Sequence, residues 1–350
     1  MAATTLTIGN ELLSTTMHIV MKEWRDNIYT STAFLEAQTR VHGEGSPTQA
    51  GGTRIVQPLG FGEHSNTTRL QTGYERIDLS VSDVFQPAVY DFAHVVRPIA
   101  ISSEEEMTNQ GDAAILSILE NRVTSVANAL KREYVKQMVQ GGVSGWDDWN
   151  TLNGIGTDTT NGFLENAAPG SGSQDSSVGG VSKSTFSSKT GWNNQFFDGA
   201  DSFNSNGLAG LYDLMVEINA VSAQGNPNVI LASRSGFKNL KRALQASERY
   251  MDEKSLDGGK MSTTFQGVPI DVEYYMPNAG TSSSTNEASF YILNMNDIHC
   301  LWDPKGYFDL SDFETVSGEY DVRAAKLRVR GQLIAKHLGS SGLAVNLDTF

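Results

Sequence analysis

The six histidines and the single cysteine are the side chains of this 350-residue chain best suited to nucleophilic or metal chemistry. A structural zinc site needs ligands at short, regular spacings, and no two of the histidines have such a spacing. They are His18, His42, His64, His94, His299 and His337. Cys300 lies in an apolar, strand-like run, which is typical of a small buried side chain rather than a nucleophile. We therefore expect no catalytic residue, no metal site and no cofactor.

Three short segments resemble ligand-binding motifs without completing them. Residues 258–262 lack the spaced glycines of a phosphate-binding loop and the hydroxyl that follows its lysine. Residues 201–207 have the composition of a calcium loop, but the spacing is wrong and the bidentate Glu is missing. Asp309, Asp312 and Glu314 are candidates for acid–base chemistry, yet nothing adjacent indicates a substrate pocket. We interpret these three residues as a solvated acidic loop.

The densest group of basic residues lies near the C-terminus, and it fits two roles. One role is contact with nucleic acid, and the other is a set of ion pairs with acidic neighbours such as Glu104 and Glu105. The formal net charge of −14 favours ion pairs, because affinity for phosphate backbones depends on Lys and Arg displacing counterions. The group consists of Arg323, Lys326, Arg328, Arg330 and Lys336.

Composition places the chain among globular proteins. Its length suffices for two compact lobes with a core of ordinary size. The first residues lack the basic and apolar regions of a secretory signal, and no apolar run is long enough to cross a membrane. We expect a soluble protein without an internal disulfide framework, since it has one cysteine.

Residues 51–97 have the pattern of a long β-hairpin. Apolar residues alternate with polar or small ones on both limbs, and a polar tip at 62–69, which includes Arg69, separates them. An isolated two-stranded ribbon is marginal in water and leaves an apolar face uncovered, so we expect a second copy of the chain to cover it. The apolar positions are Ile55, Leu59 and Phe61 on the outgoing limb and Ile77 and Leu79 on the returning limb.

A long helix is predicted directly after the hairpin, over residues 104–140. Ser103 and Glu106 have the spacing of a capping box, and Glu104 and Glu105 place negative charge near the positive end of the helix dipole. Apolar residues then recur at steps of three and four, and the glycines at 141 and 142 end the helix.

The remaining segments differ in character. Residues 13–28 carry a stripe at helical spacing, which fits either an amphipathic arm helix that needs a partner surface or the first helix of a core. Residues 142–206 are rich in Gly, Ser, Thr and Asn but contain many aromatics, so we expect a loop ordered by docking them, in part across a subunit boundary. From residue 207 the pattern is compact α/β. The stripe consists of Leu13, Met17, Val20, Trp24 and Ile28.

The order of these parts resembles the major capsid proteins of tailed bacteriophages, which share the Hong Kong 97 capsid fold. No single piece is a specific motif, and the ordered set carries the resemblance. Its pieces are residues 101–106 opening a long helix, the closing glycines 141 and 142, the Gly-rich stretch to 155, the strand and helix of 229–251, residues 265–270, the strand 291–293 and the arginine-bearing strand 322–332.

This resemblance implies an α+β fold with a peripheral domain that carries a spine helix and a compact axial domain. The family closes identical subunits through pentamers and hexamers into an icosahedral shell around packaged double-stranded DNA. The implied segments are an N-terminal arm at 1–50, the extended E-loop hairpin at 51–97, the spine-helix part of the peripheral domain at 98–141, an insertion or loop at 142–206, the axial domain at 207–305, and peripheral strands with the C-terminus at 306–350.

The resemblance also implies partners and contacts. The implied partners are further copies of the chain and separate scaffolding, portal and decoration or cement proteins, with DNA enclosed but not bound by sequence. The location would be the virion, after assembly in the host cytoplasm. The candidates for contacts between subunits are Trp24, Ile55, Leu59, Phe61, Arg69, Ile77, Leu79, Glu104, Glu105, Arg328 and Arg330.

One departure from some family members is visible directly. They join an E-loop lysine to an asparagine of a neighbour, but here no lysine lies between Lys22 and Lys131, so we expect no such cross-link. The long scaffold-like prefix of some relatives is also missing before the arm. Scaffolding is therefore expected to be separate, cleaved before Met1 or unnecessary.

Two other functions stay open. The first is an encapsulin-like compartment, which has the same fold but encloses enzyme cargo. The second is a hydrolase with a Gly/Ser-rich lid, which would need a clustered nucleophile, base and acid.

Overall fold

A computed structural model gives the structure of the chain. The described residues contain no helix that is long and apolar enough to cross a membrane. The N-terminal arm up to residue 31, including Trp24, lies outside them. The model describes residues 32–61, 84–108, 118–154, 162–169, 176–184, 192–200, 202–222, 225–245, 263–277, 288–316 and 321–347, together with residues 67, 69, 71, 73, 74, 76, 77, 79, 174 and 350.

The described residues form five α-helices and seventeen strands. The helices are α1 (Ala33–His42), α2 (Ser103–Thr108), α3 (Ile118–Val139), α4 (Leu208–Val221), which a π-helical turn at Phe203–Gly207 precedes, and α5 (Arg234–Gln245). The strands are β1 (Arg54–Gly60), β2 (Phe85–Asp91), β3 (Ala93–Ser102), β4 (Thr151–Asn153), β5 (Gly162–Leu164), β6 (Ser177–Val178), β7 (Val181–Ser182), β8 (Gln195–Asp198), β9 (Val229–Ala232), β10 (Thr263–Phe265), β11 (Val268–Val272), β12 (Ala288–Leu293), β13 (Ile298–Trp302), β14 (Asp309–Leu310), β15 (Glu314–Thr315), β16 (Val322–Ala335) and β17 (Gly342–Val345).

The first of the two larger sheets is built around β16. This strand pairs antiparallel with β3 over the whole length of β3, and also with β13, β14 and β15. The alternation predicted for β16 is present, since Leu327 and Val329 are buried while Arg328 is exposed. One face of the sheet is therefore apolar and carries part of the core.

The long helix begins and ends close to the predicted positions. Its capping box is formed by Ser102 and Glu105, not by Ser103 and Glu106: Ser102 Oγ accepts from Glu105 N–H at 3.2 Å, and Ser102 N–H donates to Glu105 Oε2 at 3.2 Å. Gly141 ends it with a φ of 78°, a left-handed conformation that favours glycine. The described residues contain two helices within the predicted span, α2 at its start and α3 at its end, and residues 109–117 between them lie outside the described residues.

The second large sheet has six strands in the order β10, β11, β9, β12, β17 and β8. Ser233 caps the helix that follows β9 by accepting from Gly236 N–H at 3.0 Å. The last strand, β17, was expected among the peripheral strands but lies in this sheet, and β13, expected in the axial part, lies in the first sheet. Long-range pairing thus crosses the proposed division at residue 305.

The aromatics of residues 142–206 dock within their own chain. Tyr134 of α3 lies at the centre of the group, with ring centroids 5.9 Å from Trp149 and 5.3 Å from Trp302. Docking was predicted correctly, but the expected subunit boundary is not needed, because these rings are covered by the chain itself. The fully buried aromatics of this segment are Trp146, Trp149, Phe163, Trp192 and Phe203.

A buried ion pair, which the sequence did not indicate, orders the same segment. Lys183 Nζ lies 2.9 Å from Glu165 Oε1 and donates to the carbonyl of Phe163 at 2.8 Å. The side chains are 0% and 7% exposed, and burial lowers the pKa of Lys183. Asn194 ties this segment further by donating to the Glu165 carbonyl at 2.9 Å.

Candidate assembly surface

The hairpin is present at its base, and its described returning strand lies within the predicted span of residues 51–97. Strand β1 pairs antiparallel with β2, from Arg54 opposite Asp91 to Gly60 opposite Phe85. Ile77 and Leu79 were expected on the returning strand, but both are exposed, and the described partner of β1 begins eight and six residues later, at Phe85. Much of the tip, from 62 to 83, lies outside the described residues, although Arg69 is described and exposed.

One face of the hairpin contacts the protein's own core. Ile55 and Leu59 are only 4% and 6% exposed, and Phe61 contacts Trp192 edge-on with ring centroids 5.8 Å apart. Tyr90 of β2, also on this face, donates its hydroxyl to the Ala335 carbonyl at 3.0 Å. The expectation that Ile55, Leu59 and Phe61 need a second copy to cover them is therefore wrong. The base of the ribbon lies over the end of β16, and its inner face packs against the core of the same chain.

The opposite face of the hairpin is apolar and uncovered in the single chain. Val56 and Phe85 are 59% and 76% exposed, and the prolines between them, Pro58 and Pro87, lie directly opposite each other. These four residues form what we call the outer strip. Proline has no N–H to offer a ladder, so this strip contributes apolar surface and little backbone hydrogen bonding. Tyr74, Ile77 and Leu79 are exposed beyond it.

Sequence reasoning missed the outer strip, although a signal was present. In a strand, residues two apart share a face, so Val56 and Pro58 had to lie opposite Ile55 and Leu59. The chain is apolar on both faces of this ribbon. One face is used internally, and a contiguous exposed apolar face is typical of a surface that binds another protein.

Acidic side chains at the start of the long helix make ion pairs within the chain. Glu105 receives both ends of the Arg122 guanidinium, at 2.6 and 2.8 Å, and these hydrogen bonds lower the pKa of Glu105 to about 2. Glu106 pairs with Arg323 at 3.3 Å, while Glu104 is exposed. Of the two predicted contact residues, Glu104 is exposed, and Glu105, whose side chain is 42% exposed, is engaged by Arg122.

The basic residues of β16 also face carboxylates of their own chain. Arg328 lies 2.7 Å from Asp309, and Arg330 lies 2.6 Å from Asp303. The ion-pair interpretation is therefore confirmed for these arginines, and Asp309 is a partner in such a pair rather than part of an acid–base set. Both arginines remain partly exposed at the surface of the first large sheet.

Cys300 and His299, two described groups with reactive chemistry, are both buried. Burial raises the pKa of the Cys300 thiol to about 12, which disfavours the thiolate. His299 is buried beside His42, with ring centroids 5.1 Å apart, and burial lowers its pKa to about 3. Among the described residues, no three His, Cys, Asp or Glu side chains are placed to hold a metal ion.

Two concave sites are present in the described part of the molecule. A groove of about 550 Å³ lies between α1 and α3, and a smaller polar site of about 230 Å³ lies where the hairpin meets β6 and β7. Asp91 and Asp148 line the smaller site, with Gln332 between them donating to the backbone carbonyls of both. Through these two hydrogen bonds, Gln332 holds the hairpin on the core.

Comparison with known proteins connects this architecture to shell proteins. No family model and no curated protein matches the chain. Solved structures do match over nearly the whole length. The capsid asymmetric unit of cyanophage A-1(L) is 13% identical, with a TM-score of 0.66 and coverage of 98% of this chain and 99% of that one.

Two further structures extend the comparison. The capsid of the native GTA particle is 12% identical, with a TM-score of 0.58 and coverage of 99% and 100% of the two chains. The holo-SrpI encapsulin complex of Synechococcus elongatus PCC 7942 is 11% identical, with a TM-score of 0.55 and coverage of 98% and 97%. The predicted capsid fold, a mixture of helix and sheet, is therefore confirmed. At these identities the likeness establishes the fold and not the activity.

Proposed function

We propose that this chain is the major capsid subunit of a tailed phage. In this proposal, identical copies assemble through pentamers and hexamers into an icosahedral shell that encloses packaged double-stranded DNA. The observation that carries the proposal is the outer strip, an exposed apolar face on a ribbon that belongs to a shell-protein fold. A heterologous contact between this strip and a different surface of the next copy would repeat around a ring.

The strip itself supports contact between copies in preference to a small ligand. It is exposed, apolar and borne on two paired strands, whereas sites for small molecules are concave with a few converging polar groups. The exposed Ile77 and Leu79 would extend the same contact along the tip. Arg69, Trp24, Glu104, Arg328 and Arg330 remain proposed contact residues.

The structural relatives support the remainder of the proposal less directly. The comparison found phage capsids with this fold, so we extend the proposal to a location in the virion and a non-enzymatic role. We propose separate scaffolding, portal and decoration or cement proteins as partners. The chain has no E-loop lysine for a covalent link, so we expect non-covalent contacts to hold the shell together.

An encapsulin-like compartment is the second candidate, because the SrpI encapsulin matches the chain over nearly its whole length. Such a compartment would encapsulate an enzyme and contain no DNA. Particles isolated from the native source would decide between the two: packaged double-stranded DNA supports the phage capsid, and a stoichiometric enzyme cargo without DNA supports the compartment.

The outer strip provides the direct test of assembly. We expect Val56→Asp to abolish closed particles, because burying an unpaired carboxylate in an apolar contact costs about 2 kcal/mol or more at each contact. The subunit itself should stay folded, since Val56 is 59% exposed in the single chain. Electron microscopy and sedimentation would measure the particles, and circular dichroism the fold.

Val56→Thr is the matched control, because threonine has the same shape and a good strand propensity but no charge. It should assemble nearly as the unmodified chain does. Normal particles from Val56→Asp would contradict the role of the outer strip. A failure of the unmodified chain to form particles under any assembly condition would contradict the proposed function itself.

A further inference from the structure

Two helices on the second large sheet carry charges of opposite sign. Helices α4 and α5 cover the same face of this sheet, since Leu214 and Leu240 lie in one buried cluster with Ile230 of β9. The sequence of α4 contains two acids and neither lysine nor arginine, whereas α5 contains four basic residues and no acid. These basic residues, which we call the basic stripe, are Arg234, Lys238, Lys241 and Arg242.

The basic stripe lies on the exposed side of α5. Its members are four, three and one residues apart, so they fall within a sector of about 100° around the helix axis. Arg234 lies over the ring of Tyr274, 4.3 Å from its centroid, and Arg242 lies 5.8 Å from the ring centroid of Phe350. Within the described part of the chain, no carboxylate forms an ion pair with any member of the stripe. These cations are therefore available to a partner.

The exposed side of α4 has a complementary character. Val216 lies at its centre and is 62% exposed, and the exposed Ala209 and Ala220 continue the same line along the helix. Tyr212, which is 46% exposed, flanks this line on one side, and the exposed Asp213 flanks it on the other. This surface thus combines small apolar side chains, which let another helix approach closely, with an aromatic ring and a carboxylate that attract cations.

We propose that the basic stripe on α5 of one copy packs against the exposed side of α4 of the next copy. The aliphatic stems of the lysines cover Val216 and the alanines beside it, while their ammonium groups reach Asp213 and the Tyr212 ring. This inference rests on the proposed function and adds a second contact to that of the outer strip. Because every chain carries both surfaces, the contact is heterologous and passes from copy to copy around a ring.

A second copy fits the basic stripe better than a nucleic acid does. Phosphate groups would neutralise the stripe but leave Val216 and Tyr212 of α4 uncovered. The formal net charge of −14 also opposes the approach of a polyanion to this chain. Contact between copies, in contrast, covers the apolar side of α4 and supplies the stripe with a carboxylate.

Cross-linking between two single-cysteine variants tests which surfaces meet. Val216→Cys and Lys238→Cys chains are mixed, assembled and treated with a short bismaleimide, so that a linked dimer has to join two copies. We expect this dimer from the mixture, and at least about ten-fold less from either variant alone, because like surfaces do not meet in a heterologous contact. Cys300 is buried and does not compete.

The matched control replaces Lys238→Cys by Lys305→Cys, since Lys305 is an exposed lysine in the turn after β13 of the other large sheet. This mixture should give no dimer. Particles that assemble without the cross-link between positions 216 and 238 would overturn this contact alone. Equal dimer yields from the mixture and from one variant alone would overturn it as well. Failure of the unmodified chain to associate at all would overturn the proposed function together with it.

Exchange of charges gives a second measurement that needs no cysteine. Asp213→Lys and Lys238→Asp should each reduce the particle yield at a fixed subunit concentration at least about ten-fold, because like charges then face each other. The double variant should recover the yield, and Lys305→Asp, which makes the same charge change elsewhere, should assemble normally. Circular dichroism checks that each variant is folded.

Three results of this exchange would overturn the proposal. The first is normal assembly of both single variants, and the second is a double variant that assembles no better than they do. The third is retardation of double-stranded DNA by the unmodified chain that Lys238→Asp removes, because DNA would then be the partner of the basic stripe.

Discussion

At the scale of single residues, His299 is the side chain that responds most clearly to pH. Burial lowers its pKa to about 3, and the neighbouring charges of Lys336 and His42 act in the same direction. An exposed histidine in the unfolded chain has a pKa of about 6.5. Its contribution to stability is therefore complete above pH 6.5 and is lost as the pH falls toward 3. His337, whose pKa burial also lowers, adds to this loss.

The contribution of Glu273 to stability has the opposite dependence on pH. It accepts from the N–H groups of Phe34, Tyr274 and Tyr275, but burial outweighs these bonds and raises its pKa to about 7. The charge of Glu36 in α1 raises the pKa of Glu273 further. An acid whose pKa is raised in the folded state penalises folding above its unfolded pKa, so acidification from pH 7 relieves this penalty.

We predict that the effects of His299 and Glu273 on stability nearly cancel between pH 7 and 5. Each contributes about 2 kcal/mol over this interval, with opposite signs. His299→Gln should therefore become relatively more stable on acidification than the unmodified chain, and Glu273→Gln relatively less stable. Urea denaturation at several pH values would measure both. Parallel pH profiles for the two variants would contradict the assigned shifts.

At the scale of elements, the buried pair of Lys183 and Glu165 holds the segment between β5 and β8. Removing one member of a buried pair leaves the other charge desolvated and unpaired. The Ser176 hydroxyl and N–H also bond to Glu165, so the carboxylate has partners besides the lysine. This arrangement orders a segment whose glycine and serine content would otherwise favour a mobile loop.

We expect Lys183→Met to reduce the free energy of unfolding by about 3–5 kcal/mol. The double variant with Glu165→Gln should lose less, because the uncompensated charge is gone while an acceptor for Ser176 remains. Denaturant unfolding of both variants would measure the difference. If the single variant proved as stable as the unmodified chain, the pair would not order this segment.

The elements also show where pattern reasoning succeeded. Helices at both ends of the predicted long helix, its closing glycines and the alternation of β16 follow from local periodicity, and the described residues contain them. The hairpin over residues 51–97 was predicted, and its described returning strand, Phe85–Asp91, lies closer to the root than the segment at Ile77 and Leu79. Both segments alternate, and only pairing with β1 distinguishes them.

At the scale of the whole molecule, net charge bears on the proposed enclosure of DNA. The chain carries −14, and Arg323, Arg328 and Arg330 face acidic partners. An acidic wall would let packaged DNA move without adhering to it.

We predict that the isolated subunit does not retard double-stranded DNA in gels, even at about 50 mM salt. Contacts with phosphates are strongest at such low salt concentrations. A basic DNA-binding protein in the same gel is the control. Retardation that disappears near about 200 mM salt would contradict this prediction, because it would indicate direct phosphate contacts.

The sequence by itself determined the order of the parts, and with it the resemblance to a capsid fold, because periodicity, caps and charge are local properties. Only the tertiary structure decided which face of the hairpin is free. Ile55 and Val56 are neighbours with similar side chains, and their alternation is the same whichever side meets the core. The base of the ribbon docks over the end of β16, where Tyr90 bonds to Ala335, 245 residues later in the chain. This docking buries Ile55 and leaves Val56 exposed, and no local pattern encodes that choice.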